Sequence, residues 1–493
     1  MKSKTILAEN AHQVSSASNE LSAPSHEPRP GVRSSEGWTR REVLRAGVVS
    51  LGVAAVTKFS VLDAFAQSGG RHQESWYPLQ VPEETPPGTP LLYCAPALVD
   101  MGDGKLRGVL AYNGQFPGPT WVARKGDSVT TSLLNGLDKP TITHWHGLVV
   151  DYANDGGPRL SIEPGQYYDY SFPIVQRAGL NFYHPHPHML TGEQVCLGLA
   201  GAFIIRDNEE DALQLPLGPY EVPLVIRDAS FDSQGNLLYN PTSSGFKGKL
   251  PLVNGTLKPM LRVDQGVYRF RVLNGSNARV FRLAFSNSLP MIVIGNDGGL
   301  LRGPVTVSEI LLGMAERLDL LVDFRGVGAG QSITLRCVDA RWDLLKFVGT
   351  GSPGIVYSPP PVLSTIPSLS GPSQPTRTFT FDGMSRINGQ EYDMNRIDFT
   401  VPFGVTERWR FKTGGNAPHP VHVHGASFQV VSRTGGRGSL FPWEVGWKDT
   451  VLLSDKETVD VLIRFDTYRG LYVMHCHQLE HESMGMMSNF QVV

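Results

Sequence analysis

The chain has 493 residues, of which 41% are hydrophobic and 18% are charged, and its formal net charge is −2. This length is enough for two to four domains with large cores, and the small net charge excludes the strongly basic surface that would indicate a nucleic-acid partner. The four cysteines, Cys94, Cys196, Cys337 and Cys476, are too few and too dispersed to build a disulfide framework, although a single bridge among them is possible.

The N-terminal segment has the pattern of an export signal. Residues 39–45 read TRREVLR, an apolar run of 12 residues follows, and the small-residue motif AFA occupies 64–66. The pair Arg40-Arg41 is typical of the twin-arginine type, and the apolar run is too short to cross a bilayer as a helix. We predict a signal peptide over 1–66 outside the fold, the twin-arginine export machinery as a partner, no stable membrane anchor, and a periplasmic or secreted product. The alternative is a chance arginine pair before a core helix.

From residue 90 onward, the chain consists of short strand-like runs separated by Gly, Pro, Asn and Asp. Examples are VYRFRVLN at 267–274 and RLDLLVDF at 317–324, and long amphipathic helical patterns are missing. With 53 glycines and 36 prolines, this pattern is typical of β-sandwiches joined by turns. The sequence therefore predicts an all-β fold.

Two segments have the composition of linkers between domains. They are DNEEDALQLPLGP at 207–219 and the Pro/Ser-rich SPPPVLSTIPSLSGPSQPT at 358–376. We therefore predict three sandwiches of ordinary size, over about 67–208, 220–350 and 377–493.

Histidine is distributed unevenly along the chain. Eleven of the 14 histidines fall into four clusters, and the middle sandwich has none. The first and third sandwiches each contain an H-x-H-G motif and a second cluster later, which suggests an internal repeat. The clusters are HWHG at 144–147, HPHPH at 184–188, HPVHVHG at 419–425 and HCHQLEH at 475–481.

Each cluster contains an H-x-H pair. Side chains at i and i+2 of a strand share a face, so each pair directs two imidazole rings at one point. One such pair is often incidental, but four together indicate a metal centre. Eight rings could hold three copper ions as two plus three plus three. We refer to these residues as the eight-histidine cluster: His144, His146, His184, His186, His422, His424, His475 and His477.

A second ligand set remains outside these pairs. Cys476 lies between His475 and His477, so its side chain points to the opposite face of the strand. Two histidines, one cysteine and a distant methionine form the set expected for a blue-copper electron-transfer site. We refer to this set as the type 1 group: His419, Cys476, His481 and Met486.

At these residues the chain resembles the multicopper oxidases, over essentially the whole predicted mature protein. The H-x-H-G, H-x-H, H-x-x-H-x-H and H-C-H-x-x-x-H-x-x-x-x-M patterns occur in order. NGSNARVFRL, NDGGLL, GWKDTV and LEHESMGMM resemble the bacterial three-domain branch, which includes cuprous oxidases, laccases and bilirubin oxidases. The resemblance implies three cupredoxin-like Greek-key sandwiches and four copper ions: one type 1, one type 2 and a type 3 pair.

The resemblance assigns the type 2 copper to His144 and His422, the type 1 copper to the type 1 group, and the type 3 pair to the other six rings of the eight-histidine cluster: His146, His184, His186, His424, His475 and His477. His188 is an additional histidine that we expect outside the ligand set. We expect Met484 and Met487 to pack around the type 1 copper. The span 340–400 has only Met384 and Met394, so the methionine-rich insertion of the cuprous oxidases is missing.

The resemblance also implies a division of labour between the two ligand sets. A donor would give up one electron at a time at the type 1 copper, through an exposed edge of His481 or His419. The electrons would pass through Cys476 to His475 and His477, and dioxygen would be reduced to water at the three other coppers.

Water formation requires protons, so carboxylates are expected near the three-copper site. By resemblance, Asp155 and Glu482 are the candidate proton relays; the alternatives are a turn aspartate and a surface glutamate. Asp449 in WKDT is predicted near the type 1 copper, where it would help to bind a donor; it could also have no such role.

We therefore predict an exported laccase-like enzyme that oxidises phenolic or aromatic donors or metal ions with dioxygen. A cuprous oxidase in copper tolerance and a bilirubin oxidase are alternatives within the family. A copper-free scaffold on the same fold, as in division-associated relatives, would have lost ligands, yet all twelve positions are filled. A simple electron-transfer cupredoxin would leave the eight-histidine cluster unexplained.

Overall fold

The computed structural model of the protein describes residues 31–33, 75–415 and 418–493. The predicted twin-arginine pair, the apolar run after it and the AFA motif lie outside the described residues. In the part of the chain that the structure describes, no helix is both long and apolar enough to cross a bilayer.

The first sandwich is built from strands that precede residue 207. The strands of this part of the chain, in the described ranges, are β1 (Val32–Arg33), β2 (Tyr77–Pro78), β3 (Glu84–Thr85), β4 (Leu91–Asp100), β5 (Leu106–Tyr112), β6 (Gly118–Arg124), β7 (Ser128–Asn135), β8 (Thr143–His146), β9 (Tyr167–Pro173), β10 (Gly179–Pro185) and β11 (Gly201–Arg206). All except β2 form two sheets, with the orders β1-β9-β7-β4-β5 and β3-β6-β11-β10-β8.

The second sandwich follows directly. Its strands are β12 (Glu221–Ala229), β13 (Leu250–Val253), β14 (Thr256–Leu257), β15 (Pro259–Gln265), β16 (Val267–Asn274), β17 (Phe281–Phe285), β18 (Met291–Asn296), β19 (Gly299–Val307), β20 (Glu309–Leu312), β21 (Arg317–Asp323), β22 (Ser332–Cys337) and β23 (Trp342–Pro353). One sheet has the order β14-β13-β12-β16-β21-β18-β19, and the other has the order β2-β15-β23-β22-β17-β20.

The third sandwich contains the C-terminal strands. They are β24 (Arg377–Asp382), β25 (Arg386–Ile387), β26 (Phe399–Val401), β27 (Thr406–Thr413), β28 (His419–Val423), β29 (Phe428–Gly435), β30 (Thr450–Leu453), β31 (Glu457–Arg464), β32 (Gly470–Cys476) and β33 (Met487–Val492). They form two sheets with the orders β25-β24-β27-β31-β29 and β26-β33-β32-β28-β30.

The helices within the described ranges are short. They are α1 (Tyr152–Asp155), α2 (Thr191–Cys196), α3 (Asn208–Asp211) and α4 (Leu479–Ser483), with 3-10 turns at Pro158–Leu160, Gly218–Tyr220 and Pro442–Glu444. Helix α1 begins at the cap residue Asp151, whose carboxylate accepts a hydrogen bond from the Ala153 N–H.

The strand pattern of the sequence accounts for these sandwiches. In β27, buried and less buried residues alternate, which places Trp409 and Phe411 in the core between the two sheets of the third sandwich. The cores of the first and second sandwiches are equally aromatic, with Trp121 in one and Phe270 in the other. The prediction of an all-β fold of three sandwiches is confirmed.

Apolar contacts connect the first and second sandwiches. Leu180 and Phe182 of β10 belong to one buried cluster with Val225, Leu273 and Ala315 of the second sandwich. Burial of apolar side chains is the main favourable contribution to such contacts. These contacts therefore hold the two sandwiches together at β10, the strand that leads into the second H-x-H pair.

The H-x-H pairs lie on neighbouring strands in both outer sandwiches. In the first, β10 is antiparallel to β8 and His184 lies opposite His144. In the third, β32 is antiparallel to β28 and His475 lies opposite His422. Within each outer sandwich, the register of the two strands therefore places two H-x-H pairs next to each other.

The N-terminal prediction is wrong for residues 31–33. Val32 and Arg33 form β1, which pairs with Tyr168 and Tyr167 of β9. Strand β9 would otherwise be the edge of its sheet, and an edge strand offers unpaired N–H and C=O groups to any nearby segment. Part of the predicted signal segment is therefore in contact with the first sandwich.

Candidate metal centre

The eight-histidine cluster forms one site where the first and third sandwiches meet. Each of its side chains is buried, with at most 3% of its surface exposed. Rings from the two sandwiches approach one another directly; for example, Nε2 of His144 and Nε2 of His422 are 3.4 Å apart. The structure thus brings together all eight rings that the sequence singles out.

Three rings of the cluster converge through their Nε2 atoms. Nε2 of His475 lies 3.3 Å from Nε2 of His186 and 3.1 Å from Nε2 of His424. On the opposite side of the rings, Nδ1 of His424 is 2.8 Å from Asp155 Oδ2, and Nδ1 of His475 is 3.2 Å from Glu482 Oε2. Asp155 accepts the hydrogen bond from His424 Nδ1, and the carbonyl of Cys476, 3.2 Å away, accepts from His475 Nδ1, so both rings keep a free lone pair on Nε2.

A second set of three consists of His146, His184 and His477. Nε2 of His184 and Nε2 of His477 are 3.4 Å apart, and His184 Nδ1 donates to the carbonyl of Pro185. His146 has the opposite orientation: its Nε2 lies 3.1 Å from Asp449 Oδ1, while its buried Nδ1 has no hydrogen-bond partner among the described residues. His146 therefore offers Nδ1 to a metal.

His144 and His422 face each other across the boundary between the sandwiches. Nδ1 of His144 donates to the carbonyl of Asp155 at 2.6 Å, and Nδ1 of His422 donates to the carbonyl of Asp449 at 2.9 Å. Because a carbonyl oxygen can only accept, both rings carry their proton on Nδ1 and direct a free Nε2 towards each other.

These contacts test whether the site fits a metal. Burial lowers the pKa of every ring in the cluster whose pKa is perturbed, to about 3 for His184 and to about 4 for His186, for example. The seven rings with a lowered pKa are therefore neutral at neutral pH, and Nε2 atoms of the cluster face each other in pairs at 3.1–3.4 Å, where their lone pairs repel. A cation between the nitrogen atoms removes this repulsion, so the residues fit a metal.

The type 1 group lies within the core of the third sandwich. Cys476 Sγ is 3.5 Å from Nδ1 of His419 and 3.7 Å from Nδ1 of His481, and these two nitrogen atoms are 3.2 Å apart. The backbone N–H of Gln478 donates to the same sulfur. The side chain of Met486 is fully buried in this core, and its carbonyl accepts from the Cys476 N–H at 3.1 Å.

Burial raises the pKa of the Cys476 thiol, so a positively charged partner is needed to hold it as a thiolate at neutral pH. The two nearby imidazole nitrogens and the sulfur are the donor set that suits copper. All four cysteines are within the described ranges and each is free, so the single bridge that the sequence left open is not formed.

Asp155 and Glu482, the two predicted proton relays, are both buried beside the cluster. Asp155 is 2% exposed, and burial raises its pKa well above the usual range. Glu482 is 1% exposed; burial acts to raise its pKa, but the neighbouring rings of His186 and His475 outweigh burial and lower it. The alternative of a surface glutamate does not agree with the burial of Glu482, whereas a turn aspartate stays open for Asp155, which ends the one-turn helix α1.

The predicted location of Asp449 is wrong. It is 2% exposed and lies against His146 and His422 of the eight-histidine cluster, not beside the type 1 group. The reason is the antiparallel pairing of β28 with β30, which sets His422 opposite Thr450. Asp449 therefore cannot contact a donor at the protein surface.

The surroundings of the type 1 group also differ from the prediction. The side chain of Met484 is 48% exposed and does not pack around the group, whereas Met487 is buried in β33. Of the two candidate exposed rings, His419 is fully buried and His481 is 4% exposed. His188 is half-buried and lies with its ring centroid 5.3 Å from that of Tyr392, outside the groups of side chains that could hold a metal.

A cavity of about 510 Å³ lies beside the eight-histidine cluster, between the sandwiches. Its wall includes Gly147 and Gly425, the glycines of the two H-x-H-G motifs, and Ala426, which follows the second motif. A smaller pocket shares these three residues and also touches His144 and His422. This smaller pocket has a volume of only about 10 Å³, so the approach from the cavity to the histidine pair is narrow.

Sequence reasoning missed the contribution of the middle sandwich. Arg317 of β21 donates to both carboxylate oxygens of Asp449, and Lys448 lies 2.8 Å from Asp297. The one available signal was an arginine at the start of the apolar run RLDLLVDF, because a buried charged residue requires a partner.

Comparisons with known proteins agree on one family over most of the described chain. Three family models, each described as multicopper oxidase, match residues 96–210, 208–331 and 360–493. A bilirubin oxidase of Albifimbria verrucaria is 34% identical over 451 residues, which is 85% of this chain and 77% of that protein. The cell division protein FtsP of Escherichia coli is 30% identical over 452 residues, 87% of this chain and 92% of that protein. The crystal structure of a laccase from Pediococcus acidilactici has 33% identity and a TM-score of 0.80, over 85% of this chain and 94% of that chain.

Proposed function

The chain belongs to the multicopper oxidase family, and from this premise we propose that it is an exported, laccase-like oxidase with four copper ions. It is an oxidoreductase that uses oxygen as acceptor. The finer proposal is that its donors are phenolic or aromatic compounds or metal ions, and that export follows the twin-arginine pathway. The observation that carries the proposal is that all twelve predicted ligand side chains are buried, and that the histidines and Cys476 are grouped with their predicted partners.

We assign the type 2 copper to His144 and His422, whose free Nε2 atoms face each other. The type 3 pair would be held by the two sets of three rings: His186, His424 and His475, and His146, His184 and His477. The type 1 copper would be held by the type 1 group. Support for this assignment comes from the hydrogen bonds at Nδ1 of His144, His422 and His424, which leave Nε2 of each of these rings free for a metal.

When bound, copper supplies one-electron oxidation of the donor at the type 1 group and reduction of dioxygen to water at the eight-histidine cluster. The chain connects these two sites through Cys476, whose backbone neighbours are His475 and His477. Only a few covalent bonds separate its sulfur from either ring. No substrate or solvent molecule has to move between the two sites.

Protons at the cluster are held by two carboxylic groups with different environments. The raised pKa of Asp155 favours a proton on this carboxyl group, and its Oδ1 is buried 3.7 Å from His144 Nδ1. The lowered pKa of Glu482 favours the ionised form next to His186 and His475. Two groups whose pKa values are shifted in opposite directions are suited to donate and to accept a proton, respectively.

The donor site is assigned to the surface beside His481. This ring is the more exposed of the two type 1 histidines, and the exposed Met484 follows it at the end of α4. A donor of one aromatic ring could reach the ring edge here without entering the core. The export signal is supported only by the sequence, through TRREVLR, the apolar run after it and the AFA motif, since those residues are outside the described ranges.

A non-catalytic scaffold is the alternative of a different class, and one relative carries the name of a cell division protein. The complete and buried ligand groups favour the oxidase, because a scaffold has no need for eight buried imidazoles in contact. A cuprous oxidase remains the main alternative within the family.

Oxygen consumption tests the proposed donor class. The copper-loaded protein is given a phenol, bilirubin or Cu(I), each with and without added Cu(II). We expect oxygen uptake with the phenol that does not depend on added Cu(II). A strong requirement for added copper, or a clear preference for Cu(I), would replace the laccase-like assignment by that of a cuprous oxidase; no uptake with any donor would favour the scaffold.

A further inference from the structure

Arg317 connects all three sandwiches at one point. Its side chain is fully buried at the start of β21, and Nε donates to the carbonyl of Leu180 in the first sandwich at 3.0 Å. The carbonyls of Ala315 and Asp297, in the middle sandwich, accept from Nη1 and Nη2. The two remaining N–H groups donate to Asp449 of the third sandwich, at 2.7 Å to Oδ1 and 2.5 Å to Oδ2. All five donors of the guanidinium group are thus used.

Asp449 carries this constraint to the eight-histidine cluster. Its Oδ1 accepts from Thr450 Oγ1 at 2.8 Å and lies 3.1 Å from Nε2 of His146. A carboxylate held by an arginine is an acceptor, so the ring proton of His146 lies on Nε2. Its Nδ1, which is buried without a partner in the described chain, then carries the free lone pair.

We propose that Arg317 is a positioning residue of the three-copper site: by fixing both oxygens of Asp449, it holds His146 in the tautomer that presents Nδ1 to the metal. This inference rests on the proposed function, which assigns His146 to the type 3 pair. The middle sandwich thus takes part in the metal site although it supplies no ligand.

Gly147 packs directly against the ion pair of Arg317 and Asp449. Gly147 follows His146 with a φ of +89°, a left-handed conformation that favours glycine. A β-carbon here would lie 2.3 Å from Asn181 Oδ1, 2.7 Å from Arg317 Nη2 and 2.9 Å from Asp449 Oδ2. The fourth residue of the HWHG motif therefore leaves room for the arginine and the carboxylate beside the ring.

An arginine is needed because no other side chain can make these contacts together. The guanidinium group is planar and holds both oxygens of one carboxylate at once. Lysine has a single terminal nitrogen on a flexible stem, so it could hold the charge of Asp449 without fixing its orientation. The two roles, charge balance and orientation, can therefore be separated by substitution.

The test uses the copper-loaded full chain and the variants Arg317→Met and Arg317→Lys. Arg269→Met is the matched control: Arg269 is also a buried arginine of the middle sandwich, and it holds Asp319 and Glu210 away from the cluster. Copper per chain, the electron paramagnetic resonance signal of the type 2 copper and the blue absorption of the type 1 copper are measured for each protein.

We expect Arg317→Met to lose copper from the type 3 pair, up to two of four ions per chain, while it keeps the blue absorption, and Arg317→Lys to show a smaller loss of the same kind. Arg269→Met should have the same copper per chain, type 2 signal and blue absorption as the unsubstituted protein. Unchanged type 2 and type 3 copper in both Arg317 variants would overturn the proposal. Equal losses in Arg269→Met would also overturn it, because they would indicate general destabilisation.

Arg317→Lys keeps the buried charge, so it provides the decisive reading if Arg317→Met does not fold. Failure of the proposed function would appear differently. In that case the parent protein itself would bind no copper in the eight-histidine cluster, whatever residue stands at position 317.

Discussion

Oδ2 of Asp155, in the first sandwich, lies 2.8 Å from Nδ1 of His424, in the third sandwich. The carbonyl of the same aspartate accepts from His144 Nδ1, so one residue contacts rings from both halves of the eight-histidine cluster. Both contacts are buried. Asp155 therefore contacts both outer sandwiches where they meet, and it places a carboxyl group beside the proposed site of dioxygen reduction.

Substitution of Asp155 by asparagine should separate the contact between the sandwiches from the supply of protons. The amide keeps the size of the side chain and can still accept from His424, but it cannot supply a proton. Because acid–base groups contribute about a hundredfold or more to such steps, oxygen turnover should fall by at least tenfold with copper content unchanged. Oxygen uptake and copper per chain are the measurements.

Asp151→Asn is the matched control, since Asp151 caps α1 four residues earlier and asparagine caps a helix equally well. It should retain the parent activity. If Asp155→Asn also retains the parent turnover and copper, Asp155 has no part in proton delivery.

Cys476→Ser should remove the type 1 copper and leave the eight-histidine cluster intact. Cys476 points into the core of the third sandwich, whereas His475 and His477 face the cluster, so the two sites share a strand but no donor atom. The variant should lose its blue absorption and its oxidation of donors but keep the other coppers. Cys337→Ser, a buried cysteine of the middle sandwich, should keep the blue absorption. Retention of blue absorption in Cys476→Ser would contradict the assignment.

The metal-free protein should lose stability in mild acid. Burial lowers the pKa of His419 and of His186 to about 4 each, and that of His184 to about 3, from an ordinary value of 6.5. Between those values the unfolded chain binds protons that the folded chain does not, so the free energy of unfolding falls as the pH decreases from about 6.5 to about 4. The raised pKa of Asp155 acts in the opposite direction, but one carboxyl group is outweighed by the rings.

Urea denaturation of the metal-free and copper-loaded proteins across that pH range checks this expectation. Copper competes with protons for the same nitrogen atoms, so the loaded protein should remain stable to lower pH. A metal-free protein with constant stability over this range would show that the rings are not buried in the neutral form.

Filling the cavity beside His144 and His422 should slow access of dioxygen. Ala426 lines both the cavity and the smaller pocket, and it is 8% exposed. Ala426→Leu adds bulk at this wall without touching a predicted ligand, so the KM for oxygen should rise severalfold with copper content retained. Ala426→Ser, of nearly the same size, should behave as the parent. An unchanged KM in Ala426→Leu would mean that oxygen arrives by another route.

The sequence alone predicted the fold class and the grouping of the metal donors because both depend on local patterns. Strands have a period of two, so H-x-H directs both rings to one side and Cys476 to the other. Because the H-x-H spacing occurs four times, it indicated one common metal centre and not four incidental pairs.

What the sequence could not predict depends on contacts between distant segments. Asp449 was placed at the wrong site because its surroundings are set by the pairing of β28 with β30 and by Arg317, which is 132 residues away in the chain. The exposure of Met484 depends on which way α4 faces, and the strand at Val32–Arg33 depends on an open sheet edge. The orientation of α4 and the open sheet edge produce no recognisable spacing of residues in the sequence.

The most direct test of the account is the amount of copper bound per chain after reconstitution and removal of loosely bound metal. The assignment of the eight-histidine cluster and the type 1 group predicts four copper ions per chain. One ion per chain, with blue absorption, would indicate a simple electron-transfer protein, and no bound copper would indicate a scaffold; either result would contradict the account.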